Sequence, residues 1–219
     1  MKSSLIIFAK EPEKGKVKTR LEEAFTQKEC VELYKAFLKD TLKLVECVKA
    51  DEKILAYESS GEASYLKGIS EGLKMYRQVG SDLGERMHNA FCEASSNGSS
   101  KIVIIGSDSP TLSPSLVDEA FEKLEESDIV IGPTSDGGYY LIGLKNPWTG
   151  LFKDVEWSTE RTLEDTLRNL KEAGKNAYML SEDHDIDSPE DLKWIISDSD
   201  AAKAEHTKKI LREIESKGK

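Results

Sequence analysis

Residues 101–108 read Lys-Ile-Val-Ile-Ile-Gly-Ser-Asp. Four consecutive β-branched residues leave no polar face, which predicts a short strand covered on both sides. A central strand of a parallel sheet has that character. The aspartate just past its carboxyl end lies where open α/β sheets usually bind ligands. Asp108 could also be a simple turn cap, but its position after a central strand favours a site.

The pattern repeats on either side. Strand signals cover 4–9, 53–57, 73–79, 128–132, 139–144 and 176–180. A helix capped by Thr26 runs to about residue 48, with Cys30, Tyr34, Phe37, Leu38, Leu42, Val45 and Val48 at helical spacing. Shorter helices are predicted over 62–71 and 83–95. Another follows Ser113-Pro114, a cap with proline in the first turn. Ser158 or Thr159 is placed to cap a helix ending near Ala173. Ser188-Pro189-Glu190-Asp191 opens a last short helix with a capping-box arrangement. Alternating strands and helices predict a single α/β domain over 1–197 with a mostly parallel mixed sheet. Residues 198–219 read as a charged, helical, peripheral tail.

Bulk properties narrow the function. The formal net charge is −10, which argues against a nucleic-acid face and against an anionic membrane surface. No apolar run approaches the roughly 20 residues needed to span a bilayer, and the stretch 5–9 is too short for a signal-peptide core. Cys30, Cys47 and Cys92 are odd in number and lack CxxC spacing, as expected of reduced thiols in a cytoplasmic protein.

Against that acidity, the loop after the first strand carries Lys10, Lys14, Lys16, Lys18 and Arg20, with Gly15 among them. Lysine and arginine offer several donors and no acceptor, which suits phosphate oxygens. The loop lacks Walker A spacing, and solvated lysines partly neutralised by Glu11 and Glu13 are an equally good reading of charge alone. Asp108 supplies a carboxylate suited to Mg²⁺ or Mn²⁺, and Asp187, in Asp183-His184-Asp185-Ile186-Asp187, is the best-placed second one. Acids there also suit a helix N-terminus, and His184 ranks lower as a ligand or base. Asp136-Gly137-Gly138 is both a hairpin signal and a place where substrate can lie against backbone while Asp136 accepts from hydroxyls. Arg86 can reach a phosphate or a base. Trp157 can stack on an acceptor ring or pack under a helix.

Taken in order, Phe-Ala-Lys-x-Pro-x-x-Gly-x-Val-Lys-Thr-Arg-Leu, Leu-Gly-Glu-Arg-Met, Gly-Ser-Asp-Ser-Pro-Thr-Leu, Asp-Gly-Gly-Tyr-Tyr-Leu-Ile-Gly-Leu, Trp-Ser-Thr and Asp-Ile-Asp-Ser-Pro-Glu-Asp-Leu resemble the uncharacterised glycosyltransferase-like proteins of the GT-A, or nucleotide-diphospho-sugar transferase, superfamily. Some members are named arsenosugar-biosynthesis glycosyltransferases. The resemblance spans about residues 5–195. It implies a Rossmann-like α/β/α sandwich and a nucleotide bound over the first loop, with contacts from Ala9, Lys10, Gly15, Lys18, Arg20, Arg86, Ser107, Asp108, Gly137 and Gly138. It further implies a divalent cation, Mg²⁺ or Mn²⁺, at Asp108. The Asp-x-Asp common at that metal site is absent from Asp108-Ser109-Pro110, which raises the interest of Asp187.

The expected activity is glycosyl transfer from a nucleotide sugar to a small-molecule acceptor. Lys18 and Arg20 would stabilise the leaving diphosphate, and Asp136 would orient or deprotonate the acceptor. The superfamily also contains nucleotidyltransferases of the molybdenum-cofactor and 2-phospho-lactate types, which the C-terminal motif resembles, so transfer with pyrophosphate release is the alternative. A non-catalytic nucleotide-binding module is the third.

Overall fold

The computed structural model describes residues 2–197 and 203–217. Strand β1 (Lys2–Lys10) leads through a basic loop and a 3-10 turn (Thr19–Glu23) into α1 (Gln27–Cys47). There follow β2 (Glu52–Glu58), α2 (Ser64–Ile69), β3 (Lys74–Arg77), α3 (Leu83–Ser96) and β4 (Ser99–Ile105). The second half comprises α4 (Pro114–Lys123), β5 (Ile129–Pro133), β6 (Tyr139–Leu144), α5 (Thr162–Glu172), β7 (Ala177–Met179), α6 (Leu192–Ser197) and α7 (Glu205–Lys217). The strands form one sheet in the order β3-β2-β1-β4-β6-β5-β7. Strand β6 runs antiparallel to both neighbours, and the other pairings are parallel. The Asp136-Gly137-Gly138 signal is thus a hairpin turn, and its antiparallel return makes the sheet mixed.

Strand β4 is central and almost fully buried, with Ile102, Val103 and Ile105 at 0% exposure. Pleating sends alternate residues to opposite faces. Leu5, Ile7 and Ala9 pack with Val103, Ile105, α1, α4 and α7, whereas Ile6 packs with Ile102, Ile104, Met87 and Phe91 of α3, and Leu170 of α5. This double covering makes an α/β/α sandwich and explains the absence of polar alternation in 102–105.

Local signals set the helix starts. Thr26 and Glu29 form a reciprocal capping box at α1, and Ser113 caps α4 with Pro114 in the first turn. The cap expected for α5 is different: the helix begins at Thr162 without a side-chain cap. Ser158 instead adopts a left-handed φ of +59°, and Thr159 accepts from the Arg161 amide. Both residues therefore belong to the loop before the helix.

The expected boundary between residues 197 and 198 lies outside the described residues. Beyond it, α7 docks on α1. Asp40 of α1, only 5% exposed, accepts from the amides of His206 and Thr207 and from the Thr207 hydroxyl, all at 2.7–2.9 Å. A carboxylate on one helix thus satisfies the orphan amides of another, and Leu211 is buried beside it. The charged composition of this segment conceals an inner face that includes Thr207, Lys208 and Leu211, all buried.

Candidate active site

The carboxyl ends of β2, β1 and β4 and the β5–β6 turn border one cleft of about 640 Å³. With strands spaced by about 4.8 Å, β2 to β6 spans about 14 Å. The cleft therefore runs across the sheet, from Glu58 through Lys10 and Asp108 to Asp136.

Lys18 is its electrostatic centre. Its side chain is only 4% exposed, and Nζ lies 2.6 Å from Asp108 Oδ1 and 3.1 Å from Asp187 Oδ1. It also donates to the Ile186 carbonyl at 2.6 Å and sits over the Phe37 ring. Burial works against the ammonium, but Asp108 and Asp187 outweigh it and hold Lys18 above the ordinary lysine value. The backbone of Lys18 is left-handed, at φ 50° and ψ 42°, a conformation that costs a non-glycine residue roughly 1 kcal/mol. Arg20 approaches Asp187 at 3.4 Å from the exposed side.

Chain segments far apart in sequence converge here for a backbone reason. The Ile186 amide donates to the Asp108 carbonyl, and the Ile186 side chain is buried. Asp185 and Asp187, on either side of it in sequence, line the cleft. Two further acids thus lie in the cleft with Asp108. Asp185 accepts from the Ser109 hydroxyl. Burial, with the nearby Asp108 charge, pushes its carboxyl up to about 7.

These oxygens fit a hard divalent cation by donor chemistry. Asp108 and Asp187 already share one cation, the Lys18 ammonium. Among the described residues, no group of three or more His, Cys, Asp or Glu is gathered closely enough to hold a metal ion by itself. Two carboxylates plus substrate phosphates is the usual way Mg²⁺ is held, so the set suits an ion that brings further ligands with it.

The remaining sequence candidates fall into three groups. Ala9, Lys10, Arg86, Asp136 and Gly138 line the cleft. The Lys10 amide donates to the Tyr34 hydroxyl, and Arg86 is fixed by Glu58 at 2.8 Å and by the Gly80 carbonyl. Asp136 is partly committed to the turn, since Oδ1 accepts from Thr134 Oγ1 and the Gly138 amide. Ser107 also borders the cleft but is buried, its hydroxyl paired with Tyr34 at 3.0 Å. Gly15 and Gly137 do not line it. Gly15 makes a left-handed turn beside Gln27, and Glu11, from the same loop, accepts from the Tyr65 and Leu66 amides at the start of α2.

Gly137 holds the hairpin against the segment before α5. It has φ +85°, and a Cβ there would lie 2.2 Å from the Glu160 carbonyl oxygen. The Gly137 carbonyl accepts from the Leu163 amide at 2.9 Å. Because backbone cannot yield as a flexible side chain does, Gly137→Ala is expected to destabilise by about 3 kcal/mol. Urea unfolding checks this, and a loss below about 1 kcal/mol would show that the two segments move apart freely.

Trp157 is held in place by packing from one side of the cleft. It packs on Gly84 of α3, where a Cβ would meet the indole at 2.4 Å, and on Phe152, while also lining the cleft. His184, near Ser135, does not line it. Asp185, Glu58, Tyr34 and Gln78 also line the cleft but escaped assignment from sequence. For Asp185 the spacing to Asp187 was a usable signal, whereas Glu58 and Gln78 sit at strand ends that carry no motif.

Comparisons with known proteins agree with this architecture. A 2-phospho-L-lactate guanylyltransferase of Methanocaldococcus sp. (strain FS406-22) is 26% identical over 212 residues, covering 92% of this chain and 86% of its own. A crystal structure from Desulfovibrio desulfuricans G20, assigned to the nucleotide-diphospho-sugar transferases, matches with a TM-score of 0.89 at 30% identity, covering 99% of this chain and 96% of that one. A Mycobacterium tuberculosis H37Rv protein crystallised as a manganese complex shares the fold, with a TM-score of 0.54 at 14% identity over 89% of this chain and 98% of that one. The chain is an enzyme, a transferase built on the nucleotide-diphospho-sugar transferase fold. The model of a family described as "Uncharacterized protein conserved in bacteria (DUF2064)" matches residues 41–159, more than half of the chain, and the chain belongs to that family.

Proposed function

We propose that the protein transfers a group from a nucleotide donor, and that this donor is a nucleotide sugar whose glycosyl unit passes to a small-molecule acceptor. The observation that carries the reading is the convergence of Asp108, Asp187, Lys18 and Arg20 midway along the cleft. Room remains on both sides, toward Glu58 and Gln78 for a base and toward Asp136 for a sugar and acceptor. An electrostatic centre so placed meets the diphosphate of a nucleotide sugar, where negative charge grows as the glycosyl–oxygen bond breaks.

Asp108 and Asp187 would hold Mg²⁺ or Mn²⁺, which supplies Lewis-acid neutralisation of the diphosphate. Arg20 and Lys18 donate to the leaving oxygens. Asp136, held in place by Thr134 and the Gly138 amide, accepts the proton of the attacking hydroxyl. Ser109 and the Ile186–Asp108 backbone bond keep the carboxylates in register.

Nucleotidyl transfer is the second reading. It is favoured by the guanylyltransferase relatives and by the pairing of Asp108 with a second carboxylate. In that reaction an acceptor oxygen attacks the α-phosphorus of a nucleoside triphosphate and pyrophosphate leaves. Products decide between the two. The protein, incubated with Mn²⁺ and a panel of nucleotide sugars and nucleoside triphosphates, is expected to release nucleoside diphosphate from one of the sugars. Pyrophosphate release with no diphosphate release would overturn sugar transfer in favour of the alternative.

A further inference from the structure

An ammonium has three N–H donors and no acceptor. On Lys18 these three face Asp108 Oδ1, Asp187 Oδ1 and the Ile186 carbonyl, at 2.6, 3.1 and 2.6 Å. The Phe37 ring, 5.3 Å from Nζ, covers a further side. In this arrangement Lys18 has no donor left for a phosphate oxygen. The same two carboxylates that suit a divalent cation are already bridged by a cation belonging to the chain. Lys18 cannot both bridge them and serve a substrate.

We infer that Lys18 fills the divalent-cation position of the free chain, and that metal enters only in company with nucleotide phosphates, which receive the displaced ammonium. The inference rests on the proposed nucleotide-donor reading and adds an order of events to it. A metal ion arriving alone has to expel an ammonium paired with two carboxylates and a carbonyl, and gains two carboxylates in return. A metal arriving with a diphosphate brings its own oxygens and offers anionic partners to Lys18 at the same moment. The lysine stem is long and flexible enough to exchange partners without the loop moving. By linkage, nucleotide and metal must then strengthen one another equally.

The consequence is unusual for a lysine in an active site: removing it improves metal binding. Calorimetric titration of the whole chain with Mn²⁺ alone is expected to show no saturable binding up to about 1 mM, and Lys18→Met to bind at least tenfold more tightly than wild type. For wild type, UDP or GDP is expected to raise Mn²⁺ affinity at least tenfold. Equal Mn²⁺ affinities for wild type and Lys18→Met would overturn the inference. If Lys18→Met does not fold, as judged by its melting transition, the wild-type titrations decide: tight Mn²⁺ binding without nucleotide excludes a resident lysine. Failure of the nucleotide reading looks different. Lys18→Met would still gain Mn²⁺ affinity, while UDP, GDP and GTP would leave the wild-type melting temperature unchanged.

Discussion

Asp108→Ala is expected to slow transfer by about a thousandfold while lowering the melting temperature by only a few degrees. The kinetic loss follows from removing the one carboxylate fixed to the end of the central strand, because a preorganised charge at the leaving group is typically worth 10²–10³ in rate and metal loss adds to it. The small structural effect follows from the partners Lys18 retains. Breaking a buried ion pair commonly costs 3–5 kcal/mol because an uncompensated charge is left behind. Here the ammonium keeps Asp187 at 3.1 Å and the Ile186 carbonyl at 2.6 Å. The Asp108 side chain is itself 45% exposed, and its removal also relieves repulsion on Asp185. A net loss of about 1 kcal/mol corresponds to roughly 2–4 °C in a chain of this size. Turnover of whichever donor the product assay identifies, measured beside a calorimetric melt, checks both halves. Activity within tenfold of wild type would remove Asp108 from the chemistry, whereas a drop of 15 °C would make it a structural residue.

The fold was legible because its signals are local and redundant. The apolar run Ile102–Ile105 requires cover on both faces, and the Thr26–Glu29 and Ser113–Pro114 caps fix helix starts independently of packing. Where a single weak signal stood alone, it misled. Ser158 and Thr159 look like caps, but the left-handed turn at Ser158 delays α5 to Thr162. The tail reads as peripheral from its charges because the contacts that dock it, Asp40 with Thr207 and buried Leu211, depend on a helix far away in sequence. The site was half legible in the same sense. Residue chemistry pointed to Lys18, Arg20, Asp108 and Asp187. That Lys18 bridges Asp108 and Asp187 is a fact of three-dimensional closure, carried by the Ile186 amide on the Asp108 carbonyl. Gly137 shows the converse: its motif suggested substrate contact, and its backbone is instead taken up by Glu160 and Leu163.

Asp185 gives the second large effect, and its sign is opposite to that of an ordinary acidic residue. Burial first, then the Asp108 charge, raises its carboxyl from 3.8 to about 7, against the Ser109 hydroxyl and Lys18, which favour ionisation. Between pH about 4 and about 7 the folded chain therefore keeps a proton that the unfolded chain has released. Stability falls with pH wherever the native state binds more protons than the unfolded one. This group thus stabilises least above pH 7 and exerts no penalty below pH 4. At 1.36 kcal/mol per unit the full window corresponds to about 4 kcal/mol, an upper figure because the side chain is only partly buried. Asp185→Asn keeps an oxygen for the Ser109 hydroxyl and has no charge to release. Urea unfolding is expected to find it as stable as wild type at pH 4 and more stable by a few kcal/mol at pH 8. Equal slopes against pH for the two proteins would show that Asp185 is solvated and ordinary. Asp185 lies between Ser109 and the Asp108–Asp187 pair, so the more stable variant should also be the slower enzyme, by about tenfold. A variant both more stable and fully active would leave the charge at 185 without a catalytic role.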